Sequence, residues 1–157
     1  MGSGMATRSP IGLVEVADLE NLARAFERAA RGKRERPEVR RFEENLEREL
    51  ATIGTDILAG TVAVGRCHAF RIFDPKPRLI HAPCFRERVL HHALLGPMEP
   101  VLERSLVADT YACRAGKGTL AAVLRAQAHL GRFPWYAKLD VRSYFASIDH
   151  ELLRGAL

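Results

Sequence analysis

Cysteine is scarce in this sequence, and the little there is lies scattered. Cys67, Cys84 and Cys113 are odd in number, widely spaced and free of any Cys-x-x-Cys pair, which excludes a disulfide framework and a zinc ribbon. They read as small buried hydrophobes in a reducing compartment. Lysine is scarce too, with arginine supplying most of the 24 cationic side chains. No run approaches the roughly 18 apolar residues of a membrane span. Internal repeats, low-complexity tracts and a signal peptide are also missing, so a cytoplasmic protein without a membrane partner is expected.

What is present points to one folded domain. The 157 residues are 47% hydrophobic, enough for a real core and too many for a disordered tail. A net charge of +5 and a pI of about 9.5 favour a polyanionic partner. An arginine-rich excess suits phosphate better than a lysine coat. Met1-Gly2-Ser3-Gly4 before Met5 reads as a cloning scar, and residues 1–10 as a tag and flexible N-terminus.

Asp18 can cap a helix whose Leu19, Leu22, Ala23, Phe26 and Ala30 recur at helical spacing, ended by Gly32. After the basic loop Arg31-Gly32-Lys33-Arg34-Glu35-Arg36, Pro37 suits the first turn of a second helix. That helix puts Val39, Phe42, Leu46, Leu50 and Ile53 on one stripe and closes near Gly54. His68 to Phe73 alternates, Asp74-Pro75-Lys76-Pro77 is turn chemistry, and Arg78 to Ala82 returns as a partner strand. Lys76 and Arg78 then sit at a hairpin tip, either as solvated charges or as a cationic finger for phosphates.

Pro83 opens a long helical stretch with Phe85, Val89, Ala93 and Leu94 facing inward and Arg86, Glu87, Arg88 and His91 facing elsewhere. Gly96-Pro97 and Pro100 should break or kink it. His91 and His92 are adjacent, so on a helix they diverge by about 100° and make a poor metal site. Gly116-Lys117-Gly118-Thr119 precedes a helix carrying Leu120, Val123, Leu124, Gln127 and Leu130. The Walker pattern fails, because Tyr111 stands where its first glycine belongs. A backbone that approaches a nucleic-acid strand at this helix start remains open.

The chemistry-bearing stretch is Trp135 to His150. Ala137, Leu139 and Val141 alternate with Tyr136, Lys138 and Asp140, as in a strand that delivers one carboxylate at its tip. Tyr144 and Phe145 follow, and Ser147 or Asp149 can cap a helix through Glu151, Leu152 and Leu153.

From about Arg40 onward these segments resemble the N-terminal part of a prokaryotic reverse transcriptase of the group II intron-like lineage. They are most similar to the enzymes of diversity-generating retroelements. The resemblance rests on five fragments in family order. They are Arg41 to Gly60; Asp74-Pro75-Lys76-Pro77-Arg78; Ala82 to Leu94, continued by Glu99 to Glu103; Tyr111-Ala112-Cys113-Arg114-Ala115-Gly116-Lys117-Gly118-Thr119; and Leu139-Asp140-Val141-Arg142-Ser143-Tyr144-Phe145.

The resemblance implies an RNA-directed DNA polymerase that copies an RNA template from a DNA primer with deoxynucleotide triphosphates. Asp140 would be the first catalytic, metal-binding aspartate, and the Val141 carbonyl a further ligand to Mg2+. Two such ions about 3.5–4 Å apart would activate the primer 3′-hydroxyl and stabilise the leaving pyrophosphate. Lys76 and Arg78 would hold the triphosphate, Phe145 would crowd a 2′-hydroxyl, and Arg86, Arg88, Arg114 and Lys117 would track phosphates. The lineage also implies a basic accessory protein as partner.

One departure matters. The family's other two catalytic aspartates lie in a later Tyr-x-Asp-Asp-type hairpin, which this sequence does not contain, and Asp149 sits at a capping position instead. The expected fold is therefore α+β: a helix-rich fingers region over 11–134 with a short antiparallel hairpin, then the first strand of an incomplete polymerase palm over 135–157. The remainder of the polymerase is an expected partner. Rival expectations are a non-catalytic nucleic-acid-binding module derived from a fingers domain, and a plain helical interaction protein.

Overall fold

The computed structural model describes residues 11–156, and the tag and flexible stretch expected over 1–10 lie outside the described residues. Among these it holds seven α-helices and one two-stranded antiparallel sheet, an α+β arrangement. None of the helices is long and apolar enough to cross a membrane. The chain divides into two compact units, one ending at Leu106 and the other starting at Val107.

The first unit is a helical core. Helix α1 (Leu13–Ala17) runs into α2 (Leu19–Ala30) through Asp18, whose carboxylate accepts from the Asn21 amide at 3.0 Å. Helices α3 (Pro37–Glu43), α4 (Leu46–Ala59) and α5 (Phe85–Ser105) complete it. Leu22, Phe26, Val39, Ile53 and Val89 are the largest fully buried side chains. Phe42 stacks on Phe26 at 5.7 Å, and Phe85 meets both rings edge-on at 5.1 and 6.1 Å. Such aromatic pairs contribute about 0.5–1.5 kcal/mol each beyond their burial.

Several expectations need correction here. Helix α2 buries Asn21, Leu22, Ala25, Phe26, Ala29 and Ala30, while Leu19 and Ala23 are exposed. Two adjacent columns face inward because α4 and α5 both pack on this helix. The single helix expected from Pro37 is two helices, parted at Glu44-Asn45, although its stripe from Val39 to Ile53 does face the core. Gly54 does not end α4, which closes at Gly60 in the left-handed region (φ +66°). A Cβ on Gly54 would stand 3.2 Å from the Ala17 carbonyl oxygen, so this glycine serves the close approach of α1 to α4.

Helix α5 runs unbroken through Pro97 and Pro100. Proline has no N–H, so Pro97 leaves the Ala93 carbonyl without its helical donor. Asn21 Nδ2 takes that donor's place at 2.9 Å and donates to the Val16 carbonyl at the same distance. Glu87, expected on an outer face, is buried. The cysteines are not core residues either: Cys67 and Cys113 are exposed and Cys84 is half-buried.

Strands β1 (Cys67–Phe73) and β2 (Pro77–Pro83) form the expected hairpin, with Phe70 opposite Ile80 and Ile72 opposite Arg78. Asp74-Pro75-Lys76 makes the turn. Every residue of β1 is exposed.

The second unit contains helix α6 (Thr119–Leu130), a 3-10 turn over Tyr144–Ser147 and helix α7 (His150–Ala156). Of the two caps open in the sequence, Asp149 takes the role at α7, accepting from the Glu151 and Leu152 amides at 2.9 and 3.1 Å, while the Ser147 hydroxyl donates to the Tyr144 carbonyl. The strand expected over 136–141 is absent: the segment carries no regular structure and pairs with no strand among the described residues. Ladder hydrogen bonds need a second strand, and alternation in sequence cannot supply one. From Val107 onward no described residue is buried.

Candidate nucleic-acid and nucleotide site

The helices of the first unit pair much of their charge internally. Arg24 meets Glu20, Arg28 meets Glu99, Arg34 bridges Glu27 and Glu43, and Arg40 meets Glu35. The Arg34 guanidinium is held above its ordinary value, chiefly by its hydrogen bond to Glu27. The hairpin differs. Arg66, Arg71, Lys76 and Arg78 make no side-chain hydrogen bond or ion pair among the described residues, and Asp74 is the one carboxylate in the same stretch. Arg78 shares its face with Phe70, Ile72 and Ile80. His68 stacks against Phe70 on that face at 6.1 Å, so aromatic surface and cationic charge lie side by side.

Arg86 and Arg88 are placed otherwise. Arg86 reaches Asp56 at 2.7 Å and Glu49 at 3.8 Å, tying α5 to α4. Arg88 pairs with Glu38 and lies over the Phe85 ring at 5.3 Å, with its buried Nε lacking a hydrogen-bond partner among the described residues. A phosphate approaching these guanidinium groups would compete with the carboxylates that already face them. His91 stands 3.8 Å from Glu87. Half-burial, assisted by Arg28, Lys33 and His91, pushes His92 below the ordinary histidine range.

In the second unit, Arg114 donates to the carbonyls of Val107 and Thr110 at 2.9 and 3.1 Å. Lys117 donates to the Ala108 carbonyl and lies 5.1 Å from the Tyr111 ring centre. Both cations thus brace the loop that sequence reading offered to phosphates. The centre of that loop is Asp109, which no motif singled out. Its two carboxylate oxygens accept from Arg125 Nε at 2.9 Å and Nη2 at 3.2 Å, and one of them accepts from the Tyr111 hydroxyl at 3.0 Å. The Arg125 hydrogen bond, then that of Tyr111, hold Asp109 below the usual carboxylate range. Arg125 is raised in turn by the same bond. The phenol of Tyr111 is raised by loss of hydration and by its bond to Asp109. A pair sixteen residues apart with a loop between has no periodic signature, which is why sequence reading missed it.

Asp140 is exposed in the irregular segment before the 3-10 turn and has no side-chain partner among the described residues. Val141 is exposed beside it, and Phe145 is 85% exposed, edge-on to Tyr144 at 5.3 Å. Ser143 between them takes a left-handed backbone (φ +51°) that turns the chain sharply. Among the described residues no three His, Cys, Asp or Glu side chains gather as a metal site. Asp140 and the Val141 carbonyl offer a fraction of the octahedral oxygen set that Mg2+ demands. These residues by themselves do not fit a two-metal centre. The structure therefore gathers three groups: Lys76 with Arg78 on the hairpin, Arg114 with Lys117 in the loop, and Asp140 with Val141 and Phe145 near the 3-10 turn.

Comparison with known proteins returns no matching family model and no matching curated protein.

Proposed function

We propose that this chain carries the fingers portion of an RNA-directed DNA polymerase, with Lys76 and Arg78 binding phosphates of the incoming nucleotide. The observation that carries this is the charge contrast between the helical core, whose arginines largely face carboxylates, and the hairpin, whose four cations do not. Unpaired cations beside exposed aromatic surface suit phosphates and unstacked bases. Asp140 would contribute one carboxylate to a Mg2+-dependent centre, and further carboxylates must come from outside the described residues. Template RNA and primer DNA are the polyanions that the residual positive charge would attract.

The test is a fluorescence titration of an RNA–DNA primer–template and of Mg2+·deoxynucleoside triphosphate across a salt series. Each of Lys76→Ala and Arg78→Ala should lower the magnitude of the salt slope by about one for each phosphate left without its cation. Asp140→Ala should weaken only the Mg2+-dependent triphosphate binding. A second reading, a non-catalytic nucleic-acid-binding module, is favoured by the solitary carboxylate at Asp140. It predicts primer–template binding indifferent to Mg2+ and to Asp140→Ala. Salt-independent or absent binding would exclude both.

A further inference from the structure

Glu87 is a buried carboxylate that no part of the proposed chemistry uses. It sits on the third residue of α5, between Phe85 and Val89, both of which are buried in the core. A helix-start glutamate ordinarily turns back toward its own capping residue. Here both carboxylate oxygens accept from the Gly65 amide at 3.1 Å, and Oε2 also accepts from the Arg66 amide at 3.2 Å. The Arg66 carbonyl in turn accepts from the Cys84 amide at 2.9 Å, just ahead of the first strand pair, Cys67 with Pro83. Gly65 reaches the carboxylate with φ +89°, a backbone that side-chain-bearing residues rarely adopt.

We infer that Glu87 is a positioning residue: a latch that fixes the base of the β1–β2 hairpin to α5 and thereby aims Lys76 and Arg78. The inference rests on the proposed role of those two cations. Strand β1 has little other support than the latch and its partner strand: it is exposed throughout, whereas β2 is half-buried at Ile80, Ala82 and Pro83 and runs straight into α5. Seven residues of strand rise about 3.3 Å each, so the tip stands about 20 Å from the latch. A pivot of a few degrees at the base therefore moves the tip cations by about 1–2 Å, enough to spoil alignment with a bound phosphate. Charge-assisted bonds from a rigid helix oppose such a pivot better than solvated strand contacts do.

The experiment compares wild type with Glu87→Gln, which keeps the shape and loses the charge. Gly65→Ala attacks the same latch from the chain side, in a position with open space around it. Amide exchange should accelerate at least about tenfold at Gly65 and Arg66 while α2, α4 and α5 keep their protection. Unchanged exchange at those two amides, or an equal loss throughout the core, overturns the latch. The dissociation constant for Mg2+·deoxynucleoside triphosphate should rise about tenfold in each variant. Glu87→Gln added to Lys76→Ala should cost less than the two changes separately, because the latch acts through the tip. Additive losses would overturn the positioning role. If wild type binds no triphosphate, the functional proposal fails, and amide exchange alone decides whether the latch exists.

Discussion

Asn21 shows how one side chain settles the path of two helices. Its Nδ2 satisfies the Ala93 carbonyl that Pro97 deprives of a donor and the last-turn carbonyl of Val16, so it joins α1 and α2 to the middle of α5. Replacing it with leucine orphans two acceptors in a site that is 6% exposed. Each orphaned buried group costs about 1–3 kcal/mol, so Asn21→Leu should lower unfolding free energy by roughly 2–6 kcal/mol in urea titration. A change under about 0.5 kcal/mol would mean that α5 holds its course through Pro97 without this amide. Asp18 and Asp149 act more locally, each accepting from backbone amides two or three residues on. Such caps were legible in the sequence because their partners lie within one turn. Asn21 was not, because its second partner is 72 residues away.

At the scale of elements, the loop from Val107 to Gly118 is organised by Asp109, Arg125 and Tyr111 rather than by its glycines. Asp109 titrates below the usual carboxylate value in the folded loop, so its contribution to order is complete above about pH 4 and is lost as pH falls through the folded value. Acidification from pH 7 through the lowered folded value should therefore release protection at the Lys117 amide, which donates to the Arg114 carbonyl at 3.2 Å. Asp109→Asn should show reduced protection at neutral pH and little further change on acidification. The same variant should bring the Tyr111 phenol back toward its ordinary value, read by ultraviolet titration, since one of the two influences raising it is Asp109. If the Tyr111 titration does not move, the carboxylate is not its partner in solution. The hairpin was legible as an element, because alternation and an Asp-Pro-Lys-Pro turn are local properties. Its attachment through Glu87 was hidden, since a glutamate on the third residue of a helix reads first as an exposed charge.

At the scale of the whole molecule, burial is unequal. All the described buried residues precede Val107, while Trp135, Leu139 and Phe145 in the second unit are 87%, 92% and 85% exposed. With no described residue fully buried, the second unit has less apolar burial than the first to set against the entropy of its ordering. A fragment of residues 11–106 should thus unfold cooperatively in urea, and one of 107–157 should show a shallower, less cooperative transition by circular dichroism. An equally sharp transition in the second fragment would require a core that its described residues do not form. The apolar alternation from Ala137 to Val141 fits this picture, because it marks a face that could be covered without supplying the strand that would pair beside it.

What the residues by themselves determined is whatever closes within a few positions: the helix starts at Asp18, Pro37 and Asp149, the apolar stripe from Val39 to Ile53, and the hairpin with its two tip cations. Local bonds and short-range periodicity need no partner from elsewhere. Only the tertiary structure decided which cations are spent on carboxylates, why Gly54 lies inside a helix, and how Glu87 holds Gly65 and Arg66. Those outcomes depend on which elements the fold brings together, and where the meeting excludes water a charge or an amide must find a partner that the chain order does not name.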